Sequence, residues 1–201
     1  MDEHYFTADP TTPYQRESFT CDVWGHELEL VSGSGVFSRG HLDHATAVLF
    51  RETEPPAQGQ FLDLGCGYGV IGLAIAAAVP LASVTGVEVN ERAISLANEN
   101  AKALGVGGRF IACRPDQVPS GDVYDEIWSN PPIRIGKDAL HDLLLTWLPR
   151  LAPDGRAVMV VGKNLGADSL QRWLGEQGYP TERLASAKSF RILETRAAAT
   201  A

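Results

Sequence analysis

The segment Phe61-Leu-Asp-Leu-Gly-Cys-Gly-Tyr-Gly-Val-Ile-Gly72 constrains this chain more than any other. It reads as a buried strand, a tight glycine turn and the start of a helix. Gly65, Gly67 and Gly69 let the backbone reverse sharply and let a ligand approach it, because no Cβ stands in the way. The helix that follows offers free N–H groups and the positive end of its dipole. Asp63 sits at the carboxyl end of the strand, beside the turn. A carboxylate there calls for a ligand with a cationic or hydroxyl-rich part. The spacing Gly67-x-Gly69-x-x-Gly72, with Glu88 further on, also satisfies a dinucleotide fingerprint. The glycines alone therefore leave a nicotinamide cofactor open.

The rest of the pattern sets that turn in an alternating α/β unit. Strands are expected at Gln60 to Leu64, Ser83 to Val89, Arg109 to Cys113, Glu126 to Ser129 and Arg156 to Val161. Helices are expected at Val70 to Ala78, after an Asn90 cap up to Gly105, from Asp138 until Pro149 ends it, and at Ala167 to Gly175. Asp154-Gly155 reads as a turn. Such alternation implies a Rossmann-like, mostly parallel sheet with helices on both faces. Two closing strands, near Glu182 to Ala185 and Ser189 to Thr195, have no crossover helix between them and read as an antiparallel hairpin at one edge.

One domain is expected over residues 1–201, with an N-terminal extension at 1–55 and a cofactor-binding and catalytic core at 56–196. The extension begins with a polar arm over residues 1–18. A hairpin from Phe19 to Trp24 and Glu27 to Val31 follows, with Gly25 first in its turn. Then come a flexible loop, Gly33 to Gly40, and a helix from His44 to about Arg51 capped by Asp43. Residues 197–201 read as a frayed tail.

Composition narrows the function. The chain carries a formal charge of -8, made of -10 in residues 1–100 and +2 in 101–201, so it is a poor nonspecific nucleic-acid binder with room for one basic face. Cys21, Cys66 and Cys113 show neither disulfide framework nor metal spacing. The histidines His4, His26, His41, His44 and His141 show no metal spacing either. No serine or cysteine sits in a nucleophile motif. The apolar run Val70 to Val79 is too short to span a bilayer, and the acidic N-terminus is no signal peptide. The expectation is a cytoplasmic protein without membrane or metal partners, monomeric or dimeric.

The second informative stretch is Trp128-Ser-Asn-Pro-Pro-Ile133. It follows the fourth core strand, at the sheet end where ligands bind in open α/β folds. An exocyclic amine on a base is a poor nucleophile, because its lone pair is delocalised; an amide nitrogen shares the defect. Two fixed acceptors for its N–H bonds favour a tetrahedral nitrogen and free that pair. The Asn130 side-chain oxygen and the Pro131 carbonyl suit this, since proline fixes the carbonyl's direction. Hydride transfer needs no such paired acceptors.

Asp63 to Gly69 together with Ser129-Asn-Pro-Pro-Ile133 resembles the small-domain methyltransferase family, a class I S-adenosylmethionine group that includes ribosomal RNA guanine-N2 methyltransferases of the RsmC type. Gly35-Val-Phe-Ser38 is similar to that family's entry loop, and Asn130 to Lys137 to a compact branch of it. The resemblance covers roughly residues 4 to 196. It implies S-adenosyl-L-methionine as cofactor, with Asp63, Gly65, Cys66, Gly67, Tyr68 and Gly69 around its methionine part. Glu88, with Val89, would take the ribose, Asp116 would lie near the adenine, and Phe37 and Ser38 would close over the site. Asn130, Pro131, Pro132 and Ile133 would hold the acceptor. Related enzymes often carry an aromatic residue where Ile133 stands. The RsmC-type enzymes also carry an additional N-terminal domain that this sequence does not show. Arg134 and Lys137 follow the Asn130 loop and read either as contacts for substrate phosphate or as solvated residues at a helix start. The implied substrate is RNA or a ribonucleoprotein, with guanine N2 of ribosomal RNA favoured. A protein amide, a small-molecule amine or a cofactor- or RNA-binding module without turnover are the alternatives.

Overall fold

The computed structural model describes residues 14–198. His4, most of the expected N-terminal arm and residues 199–201 of the expected tail lie outside them. The chain runs β1 (Arg16–Val23), β2 (His26–Gly33), α1 (His44–Arg51), β3 (Gln60–Leu64), α2 (Val70–Ala78), β4 (Ser83–Val87), α3 (Glu91–Ala103) and β5 (Phe110–Cys113). It continues with β6 (Tyr124–Ser129), α4 (Lys137–Trp147), β7 (Leu151–Gly162), α5 (Ala167–Glu176), β8 (Thr181–Ala187) and β9 (Phe190–Arg196). Strands β3 to β9 form one sheet in the order β5-β4-β3-β6-β7-β9-β8. All pairs from β5 to β7 are parallel, and β9 lies antiparallel between β7 and β8.

The period-2 alternation of the strands divides the apolar side chains between two faces. Phe61, Trp128, Val158, Val160 and Ile192 point to one face, beneath α1, α2 and α3. Their sequence neighbours Leu62, Ile127, Ala157, Met159 and Leu193 point to the other, beneath α4 and α5. Each of the larger aliphatic and phenyl side chains among them contributes about 1.5–3 kcal/mol when fully buried. The helices begin and end on local chemistry. Asp43 caps α1 by accepting from the Thr46 amide, and Asn90 caps α3 by accepting from Arg92 and Ala93. Gly105, at φ +70°, follows the end of α3, and Pro149 stands just beyond the end of α4.

Two expectations about turns are corrected. The β1–β2 turn is Trp24-Gly25, both with positive φ, rather than one starting at Gly25. Two left-handed residues match the twist of the hairpin strands, and the Trp24 indole explains why tryptophan bears the strain. Its Nε1 donates to the Phe50 and Thr53 carbonyls, pinning the hairpin to the end of α1. Asp154-Gly155 does not precede β7 but lies within it, in a bulge where Leu151 to Arg156 faces only Tyr124 to Glu126. The hairpin also docks through Asn100 of α3. That carboxamide accepts from the Val31 amide and donates to the Val31 carbonyl, standing in for a neighbouring strand.

Candidate active site

Strands β3 and β6 lie side by side with Asp63 opposite Trp128. From this pair the sheet grows outward in both directions, so the connections after β3 and β6 diverge and leave a crevice at their carboxyl ends. A cavity of about 740 Å³ occupies it, within the range of about 300–1,000 Å³ that holds small-molecule ligands. By the strand order, it runs from Pro115 after β5, past the glycine turn, to Gly162 and Phe190 at the ends of β7 and β9.

The glycine turn is held by backbone bonds. Gly65 and Cys66 donate to the Val87 carbonyl at the end of β4. Gly67, at φ +55°, donates to Glu88 Oε2 at 3.0 Å, and a Cβ built there meets no atom within 4 Å. Its open side is the cavity. Glu88 Oε1 also accepts from the Val89 and Asn90 amides. These three donors leave room on the carboxylate for one more, since a carboxylate offers about four acceptor sites.

Asp63 stands behind this wall rather than on it. It is fully buried, its Oδ2 accepts from the Gly72 amide at 2.8 Å, and its Oδ1 meets no donor among the described residues. Burial pushes its carboxyl up to about 7; the Gly72 bond works against the rise and the nearby Glu88 charge adds to it. Burial likewise pushes the Cys66 thiol well up, which makes it inert as a nucleophile.

The Asn130 loop is fixed differently. Ser129 donates to the Leu64 carbonyl at 2.6 Å, locking the end of β6 to the end of β3. The Pro131 carbonyl accepts from the Ile133 amide at 2.8 Å in a γ-turn around Pro132. Its second lone pair stays available. Asn130 Nδ2 donates to Asp43 Oδ2 at 2.9 Å and to Thr46 Oγ1 at 3.0 Å. With both amide hydrogens aimed at α1, the carboxamide oxygen is the end left for the cavity.

The β2–α1 connection, expected to be a flexible loop, is stitched to the α3 cap and to the glycine turn. Asn90 Nδ2 donates to the Gly35 carbonyl, and the His41 carbonyl accepts from Ser38 Oγ and from the Tyr68 hydroxyl. Burial raises the Tyr68 hydroxyl well above its ordinary range, so it serves as a donor.

Of the residues singled out in the sequence, Phe37, Ser38, Gly65, Cys66, Gly67 and Tyr68 border the cavity. So do Glu88, Val89, Asn130, Pro131, Pro132, Ile133 and Arg134. Asp63, Gly69, Asp116 and Lys137 are not among its lining residues. Gly69 instead lets α2 approach α3: a Cβ there would sit 3.1 Å from that of Ala97. Asp116 turns outward to Arg114, and its neighbour Pro115 takes the place on the wall. Sequence reading missed Asp43, His44 and Thr46 at the start of α1, and Phe190 on β9, as wall residues. The Asp43 capping signal was visible, but nothing local announced its bond to a residue 87 positions away.

Comparison with known proteins agrees with this geometry. The model of the family described as methyltransferase small domain matches residues 27–194. The uncharacterized protein YbxB of Bacillus subtilis is 33% identical over 172 residues, spanning 84% of this chain and 86% of its own. Ribosomal RNA small subunit methyltransferase C of Pseudomonas aeruginosa is 32% identical over 195 residues; this covers 94% of the chain but only 57% of that longer protein. Among solved structures, the Thermus thermophilus 16S rRNA N2 methyltransferase RsmC, in complex with AdoMet and guanosine, superposes with a TM-score of 0.76. The match covers 93% of this chain and 52% of that one at 24% identity, and it speaks to the fold. The chain belongs to the methyltransferase small-domain family, within the class I S-adenosylmethionine-dependent methyltransferases.

Proposed function

We propose that this protein is an N-methyltransferase for an exocyclic amine of an RNA base, with guanine N2 of ribosomal RNA as the favoured target. The observation that carries the reading is the Asn130 carboxamide, which borders the cavity with Pro131 and is held by its nitrogen, so that its oxygen is left to accept. The names of the relatives support the ribosomal direction, since RsmC was solved with guanosine.

The residues present fit the cofactor. The cavity is large enough, Gly67 opens onto it, and the unsatisfied Asp63 Oδ1 lies behind the turn with Glu88 nearby. Those two carboxylates favour a cation in front of them. Glu88 has acceptor capacity left for a ribose hydroxyl, and Val89 and Pro115 offer apolar wall to an adenine. When bound, the cofactor supplies a methyl group on a positively charged sulfur. The protein's share is positioning. Asn130 Oδ1 and Pro131 O accept the two N–H bonds of the amine and turn its lone pair toward the glycine turn, so that most of the gain comes from orientation. Neither acceptor is basic, so the displaced proton leaves to water.

The remaining wall suits a flat apolar base. Ile133 contributes apolar contact, and Phe190, with His44 packed edge-on at 5.4 Å, supplies an aromatic surface. Arg134 and Lys137 are exposed after the Asn-Pro-Pro turn, where a phosphate would pass. The overall charge of -8 makes binding to bare RNA weak and salt-sensitive. A ribosomal substrate would place the protein in the cytoplasm; no helix of the described residues is long and apolar enough to cross a membrane.

The test is methylation of total RNA and total protein from a deletion strain with labelled S-adenosylmethionine, followed by nucleoside and peptide mass analysis. Label in N2-methylguanosine is expected. Label confined to protein would replace the RNA reading with an amide or side-chain amine.

A further inference from the structure

The Asp43–Thr46–Asn130 cluster holds more than a helix cap. Asp43 Oδ2 accepts from the Thr46 amide at 3.0 Å, which is the cap, and from Thr46 Oγ1 at 3.4 Å and Asn130 Nδ2 at 2.9 Å. The capping role requires only the first of these. A carboxylate oxygen can only accept, so the direction of every hydrogen bond around it is set. Thr46 Oγ1 gives its proton to Asp43 and is left as an acceptor, and Asn130 Nδ2 fills it at 3.0 Å. The two hydrogens of the carboxamide thus meet two acceptors, and the reversed orientation would press the Asn130 oxygen against a carboxylate.

That constraint matters because the terminal torsion of asparagine is broad and nearly two-fold. Unclamped, an asparagine at this place presents either its oxygen or its NH₂ to the cavity, and an NH₂ repels an amine's N–H bonds. The Pro131 carbonyl needs no such help, since ring and γ-turn fix it.

We propose that Asp43, acting with Thr46, is the positioning residue that selects the amine-accepting face of Asn130. The proposal rests on the N-methyltransferase reading for its kinetic consequence, but the clamp itself is observable without any substrate.

Asp43→Ser is the informative variant, because serine caps a helix about as well as aspartate, while its hydroxyl stands one bond closer to the backbone and can itself donate, so it no longer sets the hydrogen-bond directions around Thr46 and Asn130. Melting temperature and S-adenosylmethionine affinity should stay near wild type. The single-turnover rate, measured at saturating cofactor on whichever acceptor takes label in the RNA and protein assay, should fall about 10–100-fold, by analogy with outer-shell partners of other fixed ligands. Thr46→Val should fall in the same direction by less. Because Asp43 acts through Asn130, the double variant Asp43→Ser/Asn130→Ala should be no slower than Asn130→Ala alone.

The substrate-free arm is nuclear magnetic resonance of the Asn130 side-chain amide, assigned by its disappearance in Asn130→Ala. Its two protons should be shielded from exchange with water in the wild type and exchange freely in Asp43→Ser. Shielding with no methyl transfer to RNA would leave the clamp standing and remove the RNA reading. A wild-type rate in Asp43→Ser, multiplicative losses in the double variant, or an amide that exchanges freely in the wild type would each overturn the proposal.

Discussion

The two loops that meet at the centre of the sheet are made rigid by opposite means. The Gly65–Gly69 turn is fixed through its own main-chain atoms, which bond to the Val87 carbonyl, the Glu88 carboxylate and the Asn100 carboxamide. The missing side chain of Gly67 is what opens it to a ligand. The Asn130–Ile133 turn is stiffened by two prolines and aimed by side chains from α1, more than 80 residues earlier in the chain. One loop offers backbone to a cofactor that many enzymes share, and a compact local unit suffices for that. The other must point particular atoms at an acceptor, and that takes contacts from elsewhere in the fold.

The sharpest way to break this division is Asn130→Ala. Loss of one acceptor from a preorganised site should slow single-turnover methyl transfer about 10²–10³-fold, with cofactor affinity nearly intact. Next in size is Gly72→Ala, which strikes the packing under the glycine loop. A Cβ there would lie 2.6 Å from Phe110 Cε2 and 3.1 Å from Asp63 Oδ2, and overpacking of this kind costs about 1–3 kcal/mol. Chemical denaturation should show that loss, whereas Asn130→Ala should melt close to wild type. Phe190→Leu should raise KM for the acceptor a few-fold, since an aromatic contact is worth about 0.5–1.5 kcal/mol beyond its area, without moving cofactor affinity.

The fourth effect is read through pH and is the most local. Asp63 holds its proton up to about pH 7 in the folded protein, against an ordinary value of 3.8. Between those values the native state binds more protons than the unfolded one, so stability falls as pH rises through the window and levels off above about 7. Asp63→Asn should flatten that slope. A cation bound in front of the turn favours ionised Asp63, so cofactor binding just below pH 7 should release up to one proton. Calorimetry in buffers of different ionisation enthalpy reads this, and Asp63→Asn should abolish it.

The same contrast explains what could be read in the sequence. The bounds of β3, α1 and α2 and the caps Asp43 and Asn90 follow from short-range patterns, and they match the structure. The β7 bulge and the Trp24-Gly25 turn were misplaced because their reasons are tertiary: room against β6, and an indole bonded to the end of α1. Asp116 was carried over from the family pattern by position, but its side chain pairs with Arg114 in solvent. The orientation of Asn130 could not be read at all, because Asn-Pro-Pro specifies a turn and α1 specifies which way its amide points.

Titrating S-adenosylmethionine into Gly67→Ala and Asn130→Ala side by side, with melting curves for each, tests the division of roles most directly. Gly67→Ala places a methyl group on the open side of the turn at a φ of +55°. It should lose tenfold or more in affinity, about 1.4 kcal/mol, while Asn130→Ala binds as the wild type does. Equal binding by Gly67→Ala, or a comparable loss in a folded Asn130→Ala protein, would contradict the assignment of cofactor to one loop and acceptor to the other.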